Sequence, residues 1–158
     1  MARKKATLWQ RSKYWLSGLL LILPAYFLYQ QLNPSFPAAF EQHQVGPFHI
    51  TPAPYNLDAP YAHHEEYVKD FMLLFAPGEI AKIRQGYVNI GTHPLPLEQL
   101  QQGDSGIMHG SRHSQEAHAI APARLTDAQS LWVTVETWNG EVYVGQWPLP
   151  AALLQTSN

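Results

Sequence analysis

The chain has no cysteine, which excludes disulfides, thiolate metal centres and thiol nucleophiles together. It has no acidic residue before Glu41, which is the first of its 12 acids. Basic residues are scarce after Lys13: only Lys69, Lys82, Arg84, Arg112 and Arg124 stand against those 12 acids, which leaves this part at −7. An acidic domain with scattered cations offers no electrostatic footprint for nucleic acid, and no such partner is expected. A phosphate-binding glycine loop, a dinucleotide fingerprint and an H-E-x-x-H spacing are also missing. The single Asn followed two places on by Ser or Thr is Asn33, and Pro34 blocks it as a glycosylation acceptor.

What is present begins with an uncharged run from Trp15 to Tyr29, WLSGLLLILPAYFLY, preceded by Arg3, Lys4, Lys5, Arg11 and Lys13. The stretch 14–32 would span about 28 Å as a helix, close to the roughly 30 Å of a bilayer core. One-sided positive flanking predicts a single-pass helix contacting the lipid bilayer, with the N-terminus cytoplasmic and the remainder outside. With no glycosylation acceptor, this fits a bacterial inner membrane with the C-terminal domain in the periplasm. A cleaved signal peptide is the competing reading. It wants small residues at the first and third positions before the cut, and Phe36 or Pro37 stands in the third ahead of Ala38-Ala39.

The expected organisation is a basic tail at 1–13, the transmembrane helix at 14–32 and an extended proline-rich connector at 33–62. A β domain follows at 63–150 and a short tail at 151–158. In the connector, prolines recur too densely for helix, and Val45 to Thr51 has room for no more than an edge strand. Tyr67 to Phe75 reads as a strong strand, and Ile80 to Ile90 as a second region broken at Gly86. A short helix is expected over Leu95 to Gln102, followed by an irregular loop to Ser114. Leu131 to Trp138 and Glu141 to Trp147 flank Asn139-Gly140, the preferred pair for a two-residue hairpin turn. That turn would set Val135 opposite Val144 and Trp132 opposite Trp147. Leu131, Val133, Val135, Val142 and Val144 would then form the core face. Trp132, Trp138, Tyr143 and Trp147 would form an aromatic face for a partner. Short strands and frequent turn residues predict an all-β fold: a small antiparallel immunoglobulin-like sandwich.

Histidine is the unusual residue, with eight in the chain. His63 and His64 precede the first strong strand, while Met108, His109, His113 and His118 lie in and after the Gly-rich loop. Imidazole and thioether are ligands for copper, and imidazole for zinc, so these six residues are the candidate metal set. Gly103-Asp104-Ser105-Gly106 resembles the motif around the nucleophile of chymotrypsin-like proteases over four residues. Ile107 departs from that pattern and the chain is too short for two barrels, so no enzyme is expected. The layout, one N-terminal helix and a small outer β domain, is similar to that of membrane-anchored assembly factors for respiratory metalloenzymes. The functional expectation is therefore a non-catalytic accessory or assembly subunit with a membrane-protein partner. Copper or zinc handling is the alternative.

Overall fold

A computed structural model describes residues 8–155, which fall into two units parting between Ser35 and Phe36. The first unit is one helix, α1 (Leu8–Leu32), continuous through Pro24. Its segment Ser12–Leu32 is long and apolar enough to cross a membrane, and none of it is buried. Arg3, Lys4 and Lys5 of the basic tail lie outside the described residues.

The second unit is a β-barrel that is almost closed. Its strands are β1 (His43–Val45), β2 (Phe48–Pro54), β3 (Tyr61–His63), β4 (Glu66–Phe75), β5 (Ile83–Gly91), β6 (His109–Gly110), β7 (Gln115–Ala121), β8 (Ser130–Thr137) and β9 (Val142–Pro148). They form one nine-stranded sheet in the order β1-β2-β4-β7-β5-β8-β9, with β3 added to β4 and β6 to β7. The expected antiparallel immunoglobulin-like sandwich is not borne out. A single sheet replaces two stacked ones, and β5 runs parallel to β7. The short helices α2 (Leu97–Gln102) and α3 (Ala151–Gln155) complete the fold.

The interior follows from strand alternation. Phe48 and Ile50, Phe71 and Leu73, Val88 and Ile90, and Leu131, Val133 and Val135 share one core with Trp147. After the buried Gln115, the inward side of β7 carries Ala117, Ala119 and Ala121, which leaves room for the large rings opposite. Residues 33–62 are more than a connector, because β1, β2 and β3 fall largely within them and Phe48 and Ile50 are fully buried. The C-terminal tail also contributes, through the fully buried Leu153 of α3. On the outer wall, Gln101 of α2 donates to Glu136 of β8 at 3.3 Å and Arg84 meets the same carboxylate at 2.6 Å. Leu100 of α2, 1% exposed, is buried there as well.

The β8–β9 hairpin corrects the expected register by one residue. Val135 lies opposite Tyr143, and Leu131 opposite Trp147. The loop holds three residues, Trp138, Asn139 and Gly140, since Thr137 N donates to Glu141 O at 2.9 Å and Gly140 N to Thr137 O at 3.0 Å. Gly140 sits at φ 84°, the left-handed conformation that this loop type demands of its last residue. Thr137 drives the longer loop, its hydroxyl bonding both Asn139 and the Glu141 carbonyl. A one-residue slip reverses every side chain of a strand. Tyr143 and Trp147 therefore turn to the core, while Val142 and Val144 turn out at 43% and 47% exposure. The expected aromatic face is divided: Trp147 is buried, Trp132 is outside with its Nε1 bonded to Gly91 O, and Trp138 is 70% exposed at the loop tip.

Two substitutions separate the registers. Val135→Asp places an unpaired charge in the core and is expected to cost more than about 4 kcal/mol. Val144→Asp stays in water and is expected to cost within about 1 kcal/mol. Thermal melting of both variants checks the assignment, and equal losses would contradict it.

Candidate functional site

The outer face of β4 and β7 gathers the titratable side chains. Asp70 and His118 are directly opposed across the two strands, as are Met72 and Glu116. His118 Nδ1 lies 2.6 Å from Asp70 Oδ1. An ionised carboxylate only accepts, so Nδ1 carries a proton, and in the neutral ring Nε2 keeps its lone pair. The Tyr61 hydroxyl donates to Asp70 Oδ1 at 3.0 Å. Next along β7, Glu116 accepts from the Tyr55 hydroxyl at 2.9 Å and lies 3.2 Å from His109 Nε2. Tyr55, Asp70, Glu116, Ala117 and His118 line an open concavity of about 170 Å³.

These contacts retune the phenols. Burial first, and then the hydrogen bond to Glu116, holds Tyr55 above the ordinary tyrosine range. Tyr61 is raised in the same way, by burial and then by its bond to Asp70. A raised phenol pKa favours the folded state while the group is neutral. Its contribution is complete below about pH 10 and disappears as the phenolate forms above that.

The structure brings four of the six sequence-designated metal residues to this face. The rings of His63 and His118 stack at 5.5 Å, those of His109 and His118 stand 5.8 Å apart, and His64 lies 4.3 Å from His63. His64 takes a left-handed conformation, φ 54°, in the turn between β3 and β4. The other two residues go elsewhere. Met108 points into the core, its thioether packed on Gly86. His113 sits in an exposed loop beside Arg112, whose Nε donates to its Nε2 at 3.2 Å. Both nitrogens of His109 face oxygen, from Glu116 and from Ile107 O at 3.3 Å, so neither is turned towards His118. Among the described residues, no group of three or more His, Asp or Glu side chains is placed to hold a metal ion.

Asp70, Glu116, Tyr55 and Tyr61 escape a sequence reading centred on histidine. One signal for them does exist. Lys69-Asp70 interrupts the apolar strand at Tyr67–Phe75, and adjacent charges in a covered strand require partners on both sides of the sheet. The Gly-Asp-Ser-Gly run has a packing explanation. Ser105 is buried, and Gly106, at φ 80°, donates to His118 O at 2.9 Å with Val88 O 3.0 Å from where a Cβ would sit.

A second concavity, about 500 Å³, opens at the barrel seam between Ala38–Glu41 and Trp147–Pro150. There β1 meets β9 through side chains. His43 stacks on Trp147 at 5.0 Å, its Nδ1 lies 3.0 Å from Gln146 O, and Trp147 Nε1 donates to Glu41 O at 2.8 Å. Phe40, Trp147 and Leu149 make its walls apolar.

Residues 8–150 match the family described as uncharacterised conserved protein UCP029505. The chain belongs to that family. No curated protein and no solved structure matches it. The match takes in α1 and the whole nine-stranded sheet, so helix and barrel lie within one family unit.

Asp70→Asn removes the acceptor charge from Tyr61 and leaves its burial in place. The Tyr61 pKa is then expected to fall towards, without reaching, its ordinary value. Phenolate absorbance followed against pH, with Tyr61→Phe to assign the transition, checks this.

Proposed function

We propose that the protein is a non-catalytic accessory or assembly subunit of a membrane complex. In this reading Ser12–Leu32 crosses a bacterial inner membrane from a cytoplasmic N-terminus, and the barrel works in the periplasm. Charge asymmetry supports the orientation: five basic residues and no acid lie in the first 13 positions. The observation that carries the reading is the apolar cleft of about 500 Å³ at the seam. Its size is that of a binding pocket, and its apolar walls suit an apolar segment of a membrane-protein partner. Ala38 and Ala39 are exposed at its edge, so the partner meets small side chains there.

A photo-activated cross-linker at Ala39 is expected to give one discrete adduct with a membrane protein in mild detergent. The same group at Val144, exposed on β9, is expected to give none. A periplasm-dependent reporter fused after Asn158 should be active and membrane-bound. Equal labelling from both positions, or a soluble reporter, would overturn the reading.

Copper or zinc handling remains as a second reading because His63, His64, His109 and His118 lie on one face. It requires His109 to leave Glu116 and the rings to rotate towards a common point. Titration of the full chain with Zn(II) and Cu(II) is expected to show binding that weakens as pH falls through the histidine range and is lost in His63→Ala/His118→Ala. Equal weak binding by both proteins would remove this reading.

A further inference from the structure

On one edge of β4, β2 pairs with Phe71–Phe75 and β3 with Glu66–Val68, which leaves Lys69 and Asp70 between them. The chain running from β2 to β3 crosses this gap, and Tyr55 N donates to Asp70 O at 3.2 Å. Lys69 and Asp70 point to opposite sides of the sheet, and each holds the crossing segment. On the inner side, Lys69 Nζ donates to Asn56 Oδ1 and to Asp58 O, the latter at 2.6 Å. On the outer side, Asp70 holds the Tyr61 hydroxyl at 3.0 Å, and Glu116 holds that of Tyr55 at 2.9 Å.

We propose that residues 55–61 form a strap that lifts as a unit, exposing the Lys69 amine on one side and releasing the Asp70 and Glu116 carboxylates from its two phenols on the other. Closed, the strap occupies both carboxylates with its two phenols. Residues 55–58 are themselves exposed, yet the lysine beneath them is only 2% exposed. Burial lowers the Lys69 pKa, with Asp58 and Asp70 partly opposing, so hydration of the ammonium on opening offsets part of the lost bonding. The closed and open states thus differ by these hydrogen bonds, the cover over Pro60 and the Tyr61–Val68 pairing at the end of β3, and none of residues 55–61 belongs to the hydrophobic core. This inference is independent of the seam cleft.

Acetylation of the full chain under native conditions reads the strap directly, with exposed Lys82 as the internal reference. In Tyr55→Phe/Tyr61→Phe, the rate at Lys69 relative to Lys82 is expected to rise on the order of tenfold or more, because two hydroxyl–carboxylate bonds are lost. Amide hydrogen exchange across 55–61 is expected to accelerate in parallel, with β8 and β9 unchanged. Unchanged acetylation of Lys69 would overturn the proposal. Exchange that rises evenly over the whole barrel would also overturn it, since the strap would then have no independent motion.

Discussion

The fold depends on one turn. By holding three residues between β8 and β9, Thr137 and Gly140 set which side of β9 faces inward. With Tyr143 and Trp147 inside, the indole reaches back to Glu41 and stacks on His43, joining the last strand to the first. A two-residue turn would have presented Val142 and Val144 to the core instead and left β1 without an aromatic partner. The indole that closes the barrel thus lies 106 positions along the chain from its partner Glu41.

The barrel wall treats its two outer sides differently. Over β5 and β8 it is covered by α2, with Glu136 held between Arg84 and Gln101. Over β4 and β7 it carries acid, imidazole and phenol groups that bond mainly to one another. The contrast traces to alternation in β7, where alanines face in and Glu116 and His118 face out. Small inward residues make room for the rings of the core, and the same spacing lines up the polar face.

Much of this was legible in the sequence. The apolar N-terminal helix, the strands at Tyr67–Phe75 and Leu131–Thr137, and the short helix near Leu97 follow from periodicity and end signals. The gathering of His63, His64, His109 and His118 followed only loosely, since nothing local says that β6 will pair beside Glu116. The closed single sheet was not legible. It rests on parallel pairing of β5 with β7 and on the β1–β9 seam, both long-range choices that leave no local pattern. The hairpin register was misread because Asn-Gly serves two loop lengths, and the deciding group was the hydroxyl of Thr137. Prolines hid the extent of β2, expected only as an edge strand over Val45 to Thr51; it continues to Pro54 between β1 and β4, with Pro52 and Pro54 beyond the short reach of β1.

The seam also sets the order of assembly. The contacts of His43 with Gln146 and of Glu41 with Trp147 span 103 and 106 residues, so their closure entropy must be met after the local hairpins have formed. During synthesis, β1 and β2 emerge long before β9 exists to cover them, with Phe48 and Ile50 still facing water. Without the Trp147 contacts to Glu41 and His43, the sheet would keep two free edges and an uncovered apolar concavity, the form in which a β domain is most prone to mispairing.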